Sequence, residues 1–167
     1  IINKYWANKW RVYGLGQIGM LEGAVFEDWE EIAEIPKEAI LEGYGMDFGW
    51  VVPAAMVAVY RWNKSYVLDE IIHETKLTNQ DIAEMALEAG VKNDLVYADS
   101  AEPKSIAEIE EFGINIHPCD GKIDIRAYGT QKLQQTTFFI TKRSTNMIRE
   151  FRGALWDKDS RGKPTGK

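Results

Sequence analysis

From Gly43 onward the apolar positions of the chain change period in a fixed order. Three short runs come first, at residues 45–50, 54–62 and 65–73, rich in aromatic and β-branched side chains and separated by short connections, which predicts strands joined as hairpins. Thr78-Asn79-Gln80-Asp81 then opens a stretch whose apolar residues Ile82, Met85, Ala86 and Ala89 recur at helical spacing before Gly90. An N-cap, one apolar face and a terminal glycine predict a helix there. A strand at 94–99, a helix at 103–112 ended by Gly113, a strand at 114–118 and a helix at 125–135 follow. Alternation of this kind calls for parallel strands, because a parallel pair needs a crossover between its members. A last strand at 136–141 leads into a helix capped by Ser144 and running through Met147, Ile148, Phe151, Leu155 and Trp156.

The order β-β-β-α-β-α-β-α is that of an RNase H-like α/β fold, a mixed sheet of three antiparallel strands extended by parallel strands that begin beside the first, with flanking helices. The pattern alone defines a mixed α/β fold, parts of which several folds share, and the acidic residues sharpen it. Residues 1–42 precede it and read as a helix around Tyr5, Trp6, Lys9 and Trp10, a turn at Gly14, Gly16 and Gly19, and an extended stretch near 24–29. This reading makes 1–42 a lead-in from an upstream domain and 43–167 the folded module, with a polar, unfinished C-terminal end.

Composition narrows the function classes. A chain of 167 residues that is 45% hydrophobic can bury one real core. The lone Cys119 excludes an intramolecular disulfide and no Cys/His cluster has zinc spacing, which suits a reducing cytoplasm. No apolar run reaches the length of a membrane span, so no membrane partner is expected. The net charge of −6 is unevenly spread: residues 1–113 carry 9 Lys and Arg against 21 Asp and Glu, net −12, and residues 114–167 carry 11 against 5, net +6. A basic C-terminal third could face nucleic acid, or could be no more than solvated helix faces.

Two aspartates carry the candidate chemistry. Asp47 lies within Gly45-Met46-Asp47-Phe48-Gly49-Trp50, an apolar strand where a charge is costly unless it is paired or holds a metal. Asp99 closes Leu95-Val96-Tyr97-Ala98-Asp99, at the C-terminal strand edge where open α/β sheets place their sites. Neighbouring strands would bring the two within about 5 Å. Carboxylate oxygens without His or Cys favour Mg²⁺ or Mn²⁺, and two such ions would activate water and stabilise the leaving oxygen of a phosphodiester. Each residue also has an ordinary structural use, Asp47 as a turn aspartate bonding its own backbone and Asp99 as N-cap of the helix after it. Glu70, His73 and His117 read as exposed strand or loop residues.

The segment Val96-Tyr97-Ala98-Asp99-Ser100-Ala101-Glu102-Pro103-Lys104-Ser105-Ile106 resembles a signature of phage terminase large-subunit nuclease domains. The resemblance continues through Gly45-Met46-Asp47-Phe48-Gly49, Tyr66-Val67-Leu68-Asp69-Glu70 and the late helix from Ser144 to Trp156, while Tyr13 to Phe26 is similar to the join between ATPase and nuclease. It implies an endonuclease that cuts concatemeric double-stranded viral DNA, with Asp47 and Asp99 as catalytic, metal-binding residues and two Mg²⁺ or Mn²⁺ ions in the complete site. It also implies an ATPase domain in the same polypeptide, portal and small-subunit partners, and action in the cytoplasm of an infected bacterium. Lys104, Lys122, Arg126, Arg143 and Arg149 are the candidate DNA contacts, and Glu102 is a candidate helix cap.

The chain departs from the family pattern in three places. Trp50-Val51-Val52-Pro53 stands where the family is usually polar, and the 119–124 loop is short. The family's third aspartate has no counterpart before Lys167, Asp157 and Asp159 reading as surface residues, so the domain is expected to be C-terminally incomplete and weakly active by itself. Two other functions compete. Asp47-Phe48-Gly49 also resembles the phosphate-binding hairpin of an actin-like or sugar-kinase ATPase half, although no Gly-rich phosphate loop accompanies it. A DNA- or portal-docking module without catalysis is the other.

Overall fold

The computed structural model describes residues 23–120 and 125–157. The expected early helix and glycine turn, Lys122 and Asp159 lie outside the described residues. The chain divides into two units, residues 28–148 and a second made of 1–27 with 149–167.

In the larger unit the described residues form one seven-stranded sheet. Its strands are β1 (Trp29–Ile32), β2 (Ile40–Asp47), β3 (Ala54–Trp62), β4 (Ser65–Glu74), β5 (Val96–Ala98), β6 (Ile116–Pro118) and β7 (Phe138–Thr141). They lie in the order β1-β7-β4-β3-β2-β5-β6. β2, β3 and β4 are antiparallel, and β5 joins β2 in parallel with β6 beyond it. This is the expected RNase H-like order, with parallel strands starting beside the first of the antiparallel three.

Two features of the sheet depart from the hydrophobic pattern. The first strand begins at Ile40 and ends at Asp47, instead of covering 45–50. Glu42, Gly43 and Gly45 mask its alternation, and a register shift between Leu41 and Gly43 breaks the period once more. Residues 29–32, read as lead-in, form an edge strand parallel to β7, which itself runs parallel to β4. The Trp29 ring stacks on Phe138 at 6.5 Å between centroids, and the Trp62 ring meets Phe139 edge-on at 5.2 Å. Aromatic packing across strands thus secures an edge that no local pattern announces.

Helices α1 (Asn79–Glu88), α2 (Pro103–Glu111), α3 (Ile125–Gln134) and α4 (Thr145–Gly153) complete the described elements. α1 starts in a full capping box: the Thr78 hydroxyl accepts from Asp81 N at 3.1 Å, and Asp81 Oδ2 accepts from Thr78 N at 2.8 Å. α1 and α2 close one face of the sheet, where Ile82 and Ala83, with Ile106 and Ile109, meet Tyr44, Met46, Met56 and Ile72 in a single buried cluster. That cluster holds the strands which carry the two aspartates.

The start of α4 is built differently from the expectation. Ser144 is fully buried, and its hydroxyl accepts from Glu70 N at 2.8 Å. The Glu70 carboxylate, half-buried, takes the cap: Oε2 accepts from Met147 N at 2.7 Å and Oε1 from Asn146 Nδ2 at 2.9 Å. Glu70 is therefore a helix-capping residue supplied by β4, and its negative charge suits the positive end of a helix dipole. In the smaller unit, Ala24 bridges to Leu155 and the Phe26 and Phe151 rings lie 4.8 Å apart.

Candidate metal centre

Asp47 is turned outward by its neighbours. Met46 is buried in the core and Phe48 packs against that core, so strand alternation sends the carboxylate between them to the opposite face. Ala98 does the same for Asp99, since it is fully buried at the last position of β5. The parallel register pairs Met46 with Ala98, which sets Asp47 and Asp99 one residue further along two adjacent strands. Both carboxylates are exposed and stand at the C-terminal sheet edge, on strands spaced about 5 Å apart. Gly45 and Tyr97 precede them on the same face, which is open there: nothing lies within 4 Å of where a Gly45 Cβ would be.

Gly43 makes this adjacency possible. A Cβ at this position would stand 2.8 Å from the Leu95 carbonyl oxygen, and its φ of +148° is one that side-chain-bearing residues rarely adopt. The close approach lets Tyr44 N donate to Leu95 O at 2.8 Å, the bond that opens the β2–β5 pairing.

The two aspartates differ in their local bonding. Asp99 Oδ1 accepts from Ala101 N at 3.0 Å, a side-chain turn that occupies one oxygen and leaves the other without a hydrogen bond among the described residues. Asp99 is thus not the N-cap of α2. That position belongs to Glu102, whose side chain makes no cap hydrogen bond, and Pro at the first turn removes one donor that would need a cap. Asp47 makes no turn bond to its own backbone among the described residues. The Cys119 thiol sits beside this edge, where Cys119 N donates to Ala98 O at 2.8 Å. Burial pushes the thiol pKa up, and the nearby Asp99 charge adds to the shift.

A hard divalent cation fits this donor set, since exposed carboxylate oxygens are what Mg²⁺ and Mn²⁺ prefer. Among the described residues no group of three or more His, Cys, Asp or Glu converges on one point. Asp47 and Asp99 are therefore the carboxylates that this edge offers among the described residues. His73 pairs with Ala55, which pairs with Asp47, so the imidazole lies in the same row two strands away. Hairpin register carries that information, and periodicity alone does not reveal it.

The candidate DNA contacts are dispersed. Lys104 lies in the first turn of α2, five residues after Asp99, exposed and 3.8 Å from Glu108. Arg143 follows β7 at the same sheet edge but three strands from β2, on the order of 14 Å away. Its guanidinium is engaged: Nε donates to Asp69 Oδ1 at 2.7 Å and Nη2 donates to Asp69 Oδ2. Arg126 falls on α3. Arg149 falls on α4 at the start of the second unit's C-terminal segment, exposed, and Lys122 lies outside the described residues.

A seven-stranded mixed sheet of this order, three antiparallel strands extended by parallel ones, is an RNase H-like fold. Comparison with solved structures refines the class, and the chain shares the fold of phage large-terminase nuclease domains. The nuclease domain of the bacteriophage SPP1 large terminase g2p, solved with bound Mn, superposes with a TM-score of 0.71 at 22% identity, over 85% of this chain and 87% of that one. The P22 large terminase nuclease domain gives 0.61 at 15% identity, over 86% and 80%. The large terminase of a thermophilic bacteriophage, in complex with ADP, gives 0.61 at 16% identity, with 100% of this chain matching 47% of that one. No family model matches the sequence. No curated protein matches it either.

Proposed function

We propose that this chain is the nuclease domain of a phage terminase large subunit, a metal-dependent endonuclease that hydrolyses phosphodiester bonds of concatemeric double-stranded DNA. One observation carries the reading: adjacent parallel strands end together on Asp47 and Asp99, both exposed and free of an ion pair among the described residues. Two like charges so close are unfavourable without a cation between them, so the arrangement favours a divalent ion. The related SPP1 domain was solved with Mn and the phage G20c nuclease with cobalt, which supports divalent metal use here.

Asp47 and Asp99 would hold Mg²⁺ or Mn²⁺, two ions in the complete site, and the metal would supply charge stabilisation at the scissile phosphate and an activated water. The chain's own residues orient the site. Met46 and Phe48 fix the direction of Asp47, Gly43 admits β5, and the Ala101 N–H holds one Asp99 oxygen. Lys104, Lys122, Arg126, Arg143 and Arg149 would supply phosphate contacts without sequence preference. The residues ahead of β1 would lead in from an ATPase domain, a reading supported by the match of the whole chain to part of the thermophilic-phage large terminase. Portal and small terminase subunit would be the assembly partners, in the cytoplasm of an infected bacterium.

The test is paramagnetic broadening of amide resonances by Mn²⁺ alongside plasmid nicking. Broadening centred on Asp47 and Asp99, lost in Asp47→Asn and Asp99→Asn together with any nicking, is the expected result. Broadening centred elsewhere, or nicking that survives both substitutions, would overturn the assignment.

A further inference from the structure

The turn joining β2 to β3 leaves three consecutive apolar side chains in water. Trp50 is 57% exposed, Val51 87% and Val52 65%, although Phe48 before them packs against the core and Ala54 after them belongs to it. Single exposed apolar residues are ordinary, but an adjacent run at a loop tip forgoes burial worth about 25 cal/mol per Å². The tip is also held in place. A Cβ on Gly49 would lie 2.4 Å from the Val52 carbonyl oxygen and 2.5 Å from that of Pro53, so the turn closes tightly on the Gly49 backbone. Lys76 N donates to Trp50 O at 3.0 Å, tying the tip to the β4–α1 connection and setting an exposed lysine beside it. Trp50 is three residues beyond Asp47, hence within about 10 Å of it by chain length.

We propose that Trp50, Val51 and Val52 form an apolar wedge that enters a groove of the DNA duplex and parts a base step beside the phosphate that would face a divalent ion at Asp47 and Asp99. This rests on the nuclease reading above and deepens it by naming how the duplex is gripped. Apolar side chains inserted between base steps unstack and kink DNA, and an indole face stacks on any base without regard to sequence. A pre-ordered tip loses little conformational freedom on insertion. Lys76 is placed to meet a flanking phosphate. A protein partner is the poorer occupant, because three side chains fall far short of the roughly 1,000 Å² that a stable protein interface buries, whereas a wedge needs one base step. Unstacking is easiest at flexible pyrimidine–purine steps, so binding should favour TA and CA/TG there.

The test uses a short duplex carrying 2-aminopurine at a central TA step, with the 167-residue chain and Ca²⁺. Binding should raise 2-aminopurine fluorescence. Trp50→Ala and the double variant V51S/V52S should abolish that rise and lower affinity about tenfold, with an unchanged salt slope and thermal midpoint. K104A should instead reduce the salt slope by about one while keeping the rise at saturation. A wild-type chain that binds the duplex without a rise, or wedge variants that keep it, would overturn the wedge and leave the nuclease reading standing. Unchanged DNA affinity with loss of self-association by light scattering would assign the tip to a protein contact and also overturn it. Failure of the wild-type chain to bind duplex at all would remove both.

Discussion

Arg143 forks onto Asp69, so that a guanidinium with 66% of its side chain exposed neutralises a carboxylate with none. The Thr141 hydroxyl donates to the same carboxylate at 2.5 Å and contacts the Ser144 hydroxyl at 2.7 Å. The hydrogen bond to Asp69 raises the Arg143 pKa further, and burial together with the Asp69 charge pushes the Tyr60 hydroxyl up. The pair joins β4 to the connection between β7 and α4, two residues before that helix begins.

Arg143→Ala should therefore unfold the chain more easily, by about 2–3 kcal/mol, because Asp69 would be left charged and buried. The exposed half of the pair is screened by water, which holds the figure below that of a fully buried pair. A double variant, D69N/R143M, should recover part of the loss in urea titrations. Unchanged stability in R143A would mean that the arginine serves only an external partner.

Asp47→Asn and Asp99→Asn should behave oppositely to R143A in chelator. Two carboxylates about 5 Å apart repel by on the order of 0.8 kcal/mol in water, so removing either charge should leave stability equal or slightly raised. Added Mn²⁺ should raise the melting temperature of the wild-type chain and much less that of either variant, as ligand linkage requires. Differential scanning calorimetry with and without Mn²⁺ checks both signs, and equal metal-induced shifts would count against the paired site.

Gly43→Ala should cost more than about 1 kcal/mol, because the new methyl group meets the Leu95 carbonyl and the backbone angle is strained. Its informative effect is at a distance. If the close approach of β5 to β2 sets the spacing of Asp47 and Asp99, Mn²⁺ affinity measured by calorimetry should fall although neither aspartate is altered. Retained affinity in a destabilised variant would uncouple that spacing from Gly43.

Thr78→Ala should destabilise the chain by about 1 kcal/mol through loss of the capping box. Hydrogen bonds from Thr78, side chain first and backbone second, hold the Asp81 carboxyl below its ordinary pKa. A lowered folded-state pKa means that this contribution is present above the unfolded value near 3.8 and disappears as pH falls through the folded value. The acid limb of a stability–pH curve should accordingly be shallower in Asp81→Asn than in wild type.

The local sequence determined which segments became strands and helices wherever the period was clean. Residues 54–62 form a strand with those ends, the Thr78 capping box and Gly90 bound α1, and Pro103 and Gly113 bound α2. Asp47 and Asp99 were legible as candidates because a charge at an apolar strand end needs a reason, and the RNase H-like strand order placed them on neighbouring strands. Tertiary structure decided what depends on long-range pairing. The edge strand 29–32 pairs with β7, whose nearest end lies more than a hundred residues later, so its own few residues carry no decisive signal. Glu70 became the cap of α4, and Asp69 the partner of Arg143, because parallel pairing of β4 with β7 brings residues more than seventy positions apart into contact. Burial of a charge and capping of a helix are local in space but not along the chain. A one-dimensional pattern can therefore mark such residues as anomalous without naming their partners.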